Sequence, residues 1–395
     1  MHVCFLTGEY PPMEGGVADH TAHLAQHLSR AGAKVSILTS IKARSEAQQT
    51  EDIEVYPILS SWGPSCWQHI GMFLASQTPD VLHIQYQAAA FDLTGWVNWL
   101  PHWLRFSSSV RALAHRPRLV VTFHDLRVPY VFPKAGRLRW RAILALAGGC
   151  DAIITTNAQD ELTLNQYERF AGRVHRIPLG SNIEPKPPTD YDREEWKTEL
   201  GVGPNQMLLG YFGFLNASKG GEELVSAMAE LVERGIDARL LMIGGQVGDV
   251  DPTNQAYAER VMAQIEARGM AERVIWTGHV SPEEVSAHLL AVDIMVMLYR
   301  DGVSFRRTTL ISALRHGIPV VTTRPDWPLP EIEADRNMLL VATGDVTGAA
   351  DALARLANSP KLRSDLAQGA LELGRIFDWG RIADQTKRLY SEQGE

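Results

Sequence analysis

The chain reads as an α/β protein made of two Rossmann-like, doubly wound halves. Three observations carry that reading. Short apolar runs recur along the whole length with amphipathic segments between them. The series runs twice, with a break dense in proline and charge at the middle. Glycine-bearing loops follow several of the runs, where a parallel sheet keeps its ligand contacts. At 395 residues the chain is long enough for two cores.

The strands are justified in order. A strand buried on both faces is a continuous apolar run, because neither face meets water. In the first half such runs lie at His2–Thr7, Ala33–Thr39, Ile53–Pro57, Val81–Ile84, Leu119–Phe123, Ala152–Thr155 and Val174–Ile177. The second half repeats the scheme at Met207–Phe212, Ala238–Ile243, Val274–Trp276, Ile294–Leu298, Pro319–Thr322 and Met338–Val341. The stretch IEPKPPTDYDREEW predicts a linker, over 184–205, between a first domain of residues 1–183 and a second of residues 206–375. Two such halves imply a cleft at the carboxyl ends of their strands as the expected place for ligands.

Hydrophobic content of 45% and charge of 21% are ordinary for a soluble globular protein. No run of 18 apolar residues occurs, and the chain enters at once into HVCFLT, so neither a leader nor a spanning helix is expected and a cytoplasmic location is. Cys4, Cys66 and Cys150 are scattered without ligand spacing, which predicts reduced thiols and no metal site. Residues through Asn182 hold 16 basic and 14 acidic side chains, and the remainder 22 and 32. Within the first half, Arg105 to Arg141 carries nine Lys or Arg and one acid, Asp125. That segment suits an anionic acceptor or peripheral contact with the cytoplasmic membrane face. No recognition motif for nucleic acid accompanies it. Trp96, Trp99 and Trp103 share one helical face beside it, a stripe that core or domain packing explains more readily than membrane contact does, though the adjoining basic excess suits the latter.

Four stretches could carry chemistry. EYPPMEGGV, with Gly15 and Gly16, follows the first strand and precedes a helix, so a backbone can approach a ligand there with no Cβ in the way. A tight turn is the alternative, and the dinucleotide fingerprint G-x-G-x-x-G is absent. TFHDL ends a strand with His124, which either meets a ligand or makes an ordinary structural hydrogen bond. GYFGFLNASKGGEEL carries Gly213 and places Lys219 at a helix start, where a cation is electrostatically misplaced unless an anion is present. YRDGVSFRRTTLISALRHGIPVV does the same with Arg306 and Arg307, read as the first turn of a helix whose Leu310, Ile311 and Leu314 face inward. A solvated charge pair is the competing reading of two adjacent arginines.

In order and spacing these pieces, with PDVLHIQY, CDAIITTNAQDE, VHRIPLGSN, VIWTGHVSPEEVSAHLLAVDIMVML and FDWGRIADQTKRLY, resemble a retaining GT-B glycosyltransferase of family 4 over nearly the whole chain. The resemblance implies two Rossmann-like domains facing across a cleft and a final helix, residues 376–395, crossing back to the first. Its glycine loop falls on Gly15 and Gly16 and its active-site histidine on His124. Its G-R-L-x-x-x-K-G motif keeps Gly213 and Lys219 but has Phe214 for the arginine. Its Glu-x7-Glu pair, which holds sugar hydroxyls and ribose, falls on Ser304 and Ser312, so this is a variant without those carboxylates. Asp301 is the nearest replacement, and Arg306 or Arg307 the nearest guanidinium. The implied function is metal-independent, retaining transfer of a sugar from a nucleotide sugar to a hydroxyl acceptor on a glycan, glycolipid or small molecule, with no cofactor. His124, Lys219 and Arg307 would serve the reaction. Gly15, Gly16, Gly213, His279, Val280, Asp301, Ser304, Arg306, Thr308 and Ser312 would line the donor. The alternative from another class is a GT-B module that binds a nucleotide sugar or a partner without turnover.

Overall fold

All of the apolar runs form strands in the computed structural model, which describes residues 1–44, 53–106, 116–126, 136–245 and 252–392. They are β1 His2–Thr7, β2 Lys34–Ser40, β3 Ile53–Leu59, β4 Val81–Tyr86, β5 Arg118–Phe123, β6 Ala152–Thr155 and β7 Val174–Arg176. The rest are β8 Met207–Phe212, β9 Ala238–Ile243, β10 Val274–Trp276, β11 Ile294–Met297, β12 Val320–Thr323 and β13 Leu339–Val341. The chain divides into two units, one of Met1–Gly180 with the terminal segment from Trp379, the other of Ser181–Asp378.

The first unit holds a parallel seven-stranded sheet in the order β3-β2-β1-β4-β5-β6-β7. Alternate residues of a strand face opposite sides, so Cys4 and Leu6 of β1 enter one core while Val3 and Phe5 enter the other. The second core is closed by the helices Gly16–Arg30 and Trp379–Ser391. Trp379 is fully buried there, stacked on His23 at 5.1 Å, and its ring occupies the space that a Cβ on Gly180 would need. Burying so large a side chain contributes about 2–3 kcal/mol.

The second unit holds a parallel six-stranded sheet in the order β10-β9-β8-β11-β12-β13. Residues 184–205, expected as a linker, are packed into this unit. The helix Arg193–Glu199 is capped by Asp192, and its Lys197 and Arg193 meet Asp293 at 3.1 and 2.5 Å. Trp196 Nε1 donates to His288 Nδ1 at 3.0 Å, so a charged segment is held by a half-buried carboxylate and a ring pair. Strand order reverses between β1 and β4 in one sheet and between β8 and β11 in the other. Those switch points, at the carboxyl ends of the strands, are where open α/β sheets accept ligands. Among the described residues no helix is long and apolar enough to cross a membrane.

Candidate functional site

In the second unit the loops after β8 and β11 meet at the switch point. Gly220, in a left-handed conformation, lets the first loop lie against the carbonyl of Leu298 at the end of β11, where any Cβ would collide with that oxygen. This close approach fixes Lys219 just ahead of the Gly221–Glu233 helix, at the end of a short 3-10 turn capped by Asn216. Its ammonium lies over Gly213, 2.6 Å from where a Cβ would stand. A side chain at position 213 would therefore displace Lys219.

Arg306 and Arg307 do not stand in the first helical turn. The helix runs Thr308–Arg315, with Arg307 as its N-cap in extended conformation and Arg306 one residue earlier. The cause is a turn ahead of the helix, in which the Arg307 amide donates to the Ser304 carbonyl at 3.3 Å. Arg307 folds back toward the β8 loop. Its guanidinium sits 4.2 Å from the centre of the Tyr299 ring, donates to Ser218 Oγ at 3.4 Å and pairs with Asp301. Burial, with Arg307 adding repulsion, pushes the Lys219 ammonium down to about 8. Among the described residues one carboxylate, Asp301, answers these two cations, which makes the arrangement anion-seeking.

The other expected donor residues fall out unevenly. Asp301 spends carboxylate capacity on Arg307. Ser312 is buried inside the unit, its hydroxyl donating to Thr308 O at 3.0 Å and lying 3.0 Å from Ser181 Oγ. Ser304 is half-buried and Thr308 begins the helix. His279 is exposed and Val280 half-buried, after β10, where Gly278 bridges to Gly244, which in turn packs on Gly213.

In the first unit the loop after β1 carries the glycine pair. A Cβ on Gly15 would strike the Glu9 carboxylate, whose pKa burial raises, so Gly15 is required by its own loop. Gly16 opens the helix, and a Cβ there would touch no described atom. His124 follows β5. Its ring lies 2.7 Å from Gln85 Oε1, through Nε2, and edge-on to His20 at 4.8 Å, and burial pushes its pKa down to about 4. It is therefore neutral near pH 7 and acts through one N–H and one lone pair. Sequence patterns do not single out His20, Gln85, Ser218 or Tyr299. Gln85, Ser218 and Tyr299 carry no signal but position at or after a strand end, and His20 none but its place in the first helix.

Trp103 packs on Trp67 at 5.8 Å, as core packing would have it; Trp96 meets the same ring at 5.4 Å yet is exposed, as are Trp99 and Phe106. Of the basic segment, residues 107–115 and 127–135 lie outside the described residues.

Two family models match this chain: "Glycosyl transferase 4-like domain" over residues 15–180 and "Glycosyl transferases group 1" over residues 192–372. Among curated relatives, D-inositol 3-phosphate glycosyltransferase of Corynebacterium efficiens is 29% identical over 61% of this chain, which spans 56% of that protein. An uncharacterized glycosyltransferase of Methanocaldococcus jannaschii is 22% identical over 99% of this chain and 98% of its own. The solved structure of Anabaena HepE with UDP superposes with TM-score 0.76 at 18% identity, covering 99% of this chain and 100% of that one. Sucrose-phosphate synthase of Thermosynechococcus elongatus does so with TM-score 0.75 at 19% identity, covering 99% and 98%. Paired Rossmann-like units of GT-B type and two family matches covering most of its length place the chain among the group 1 glycosyltransferases.

Proposed function

We propose that this protein transfers a sugar from a nucleoside diphosphate sugar to a hydroxyl acceptor, with retention and without a metal ion. The observation that carries the reading is the pairing of Lys219 with Arg307 at the β8/β11 switch point, held by Gly213, Gly220 and Tyr299. Departure of a nucleoside diphosphate concentrates negative charge on phosphate oxygens. Two preorganised cations stabilise that charge at the moment it forms, which is usually the largest single contribution to lowering such a barrier. The start of the Thr308–Arg315 helix adds backbone N–H donors. HepE binds UDP and UDP-glucose in its solved complexes, which supports a UDP-sugar as donor. The loops at Gly244 and Gly278–Val280 are assigned to the base, and His124 of the first unit to the donor sugar.

No carboxylate nucleophile is assigned, so retention is read as front-face attack, in which the acceptor hydroxyl enters on the side the diphosphate leaves. The acceptor proton then passes to a departing phosphate oxygen. Because the corynebacterial relatives act, by name, on an inositol phosphate, a phosphorylated polyol is the first acceptor class to try. The alternative occupant of the basic Arg105–Arg141 segment is an anionic membrane surface on the cytoplasmic side.

The decisive experiment is a nucleotide-sugar panel read by thermal shift, followed by donor hydrolysis and transfer assays. A shift with one nucleoside diphosphate sugar and turnover of it supports the proposal. Absence of any shift overturns it. Binding without hydrolysis or transfer favours a non-catalytic binding module, a reading that the serines at 304 and 312 and the commitment of Asp301 to Arg307 keep in view.

A further inference from the structure

β4 runs two residues, Gln85 and Tyr86, past the apolar stretch that marks it in sequence, and Gln85 joins a polar chain inside the sheet. His83 and Gln85 lie two apart on the strand, so they share a face, and both are fully buried. A histidine inside a parallel sheet needs both ring nitrogens answered. His83 Nδ1 lies 2.6 Å from the Tyr390 hydroxyl on the terminal helix, and Nε2 lies 2.7 Å from Thr122 Oγ1. Gln85 Nε2 is 3.4 Å from His83 Nε2, while Gln85 Oε1 is 2.7 Å from His124 Nε2.

An amide nitrogen donates and an amide oxygen accepts. In this orientation of Gln85, His124 carries its hydrogen on Nε2 and keeps a lone pair on Nδ1. His83 then accepts at Nε2 and donates from Nδ1 to Tyr390. His20, edge-on at 4.8 Å, walls the His124 ring, and the Thr156 hydroxyl reaches the His124 carbonyl at 3.5 Å. Nothing in this chain of contacts is needed to close the core, since apolar side chains would fill the same space at no polar cost.

We propose that Gln85 is a positioning residue that fixes the tautomer of His124, and that His83 and Tyr390 tie this positioning to the terminal helix. The inference rests on the reading in which His124 meets the donor sugar. It adds that His124 does so as an acceptor, taking a sugar hydroxyl proton into a hydrogen bond at Nδ1. Burial of both rings keeps them neutral near pH 7, as a tautomer-based device requires, with His83 pushed down to about 3.

The test uses the full chain labelled with nitrogen-15 in histidine and two-bond imidazole spectra at about pH 7, assigned with His20→Gln and His124→Gln variants. Wild type should show His124 as the Nε2–H tautomer and His83 as Nδ1–H. Gln85→Met should mix the His124 tautomers and lower kcat about 10-fold, the loss of one neutral hydrogen bond, with KM for the donor changed less. Gln85→Glu keeps an acceptor oxygen and should retain the Nε2–H form. His124 found as Nδ1–H in wild type, or unaltered in Gln85→Met, overturns the proposal. If Gln85→Met does not fold, the wild-type and Gln85→Glu spectra decide it. Full transfer by His124→Ala would instead overturn the role given to His124, a result separate from the tautomer spectra.

Discussion

Removing Arg307 should do two things at once, and their combination is diagnostic. An alanine there deletes a charge-assisted contact to phosphate, worth about 1.5–3 kcal/mol, or roughly 10- to 150-fold in affinity. Asp301 already holds the guanidinium, so phosphate must share it, and the lower part of that range is expected at about pH 7. The second effect runs through Lys219. Its pKa stands at about 8 against an ordinary 10.5, chiefly from burial and then from Arg307. An anion binds the protonated ammonium, so wild-type affinity for a nucleoside diphosphate should hold below about pH 7.5. It should weaken above about 8, by up to tenfold per pH unit. Without Arg307 the repulsive contribution is gone and that fall moves to higher pH. The deficit of Arg307→Ala should therefore narrow between about pH 7.5 and 9.5. Asp301→Asn, which releases Arg307, should bind the diphosphate a few-fold more tightly, and Arg306→Ala should bind it within about threefold of wild type. Calorimetry with the nucleoside diphosphate reads all of these without a sugar or acceptor. An Arg307→Ala protein that binds like wild type at about pH 7, or whose deficit widens as pH rises, would refute the clamp.

Further outcomes are expected from the same geometry. Lys219→Ala should lower transfer by ~100-fold or more through lost stabilisation of the leaving diphosphate, and wild-type turnover in that variant would end its assignment. Chelation should leave transfer unchanged, since Lys219 and Arg307 supply the positive charge; activity abolished by EDTA and restored by Mg²⁺ or Mn²⁺ would reveal a metal site. Gly220→Ala puts a Cβ against the Leu298 carbonyl in a left-handed backbone, costing at least ~1–2 kcal/mol and several degrees of Tm; an unchanged melting curve would contradict the packing described. The Arg105–Arg141 segment should draw the protein onto anionic vesicles at low salt and release it toward ~1 M, where the Debye length is ~3 Å. Failure to sediment with them would leave a small or glycan acceptor as the better reading.

The strands can be read from the amino acids alone because a parallel strand buried on both faces is an unbroken apolar run. Their ends cannot. β4 reaches Tyr86 and β12 begins at Val320, since hydrogen bonding to a neighbour, not composition, decides where a strand stops. Gly213 with Lys219 is visible as a glycine loop and a misplaced cation. Choosing between Arg306 and Arg307 is not, because the choice depends on a turn at Ser304 and on Tyr299 lying under one guanidinium. Ser312 looks like a substitute ligand by register, yet the helix rotates it into the interior against Ser181. Proline and charge suggest a linker, and a single carboxylate, Asp293, holds part of that segment in the second unit. Local pattern determined the elements, because burial selects residue types position by position. Only the tertiary structure brought Tyr390 to His83 across 307 residues, and Arg307 to Ser218 across 89, since such meetings depend on how the elements pack and leave no periodic trace in the chain.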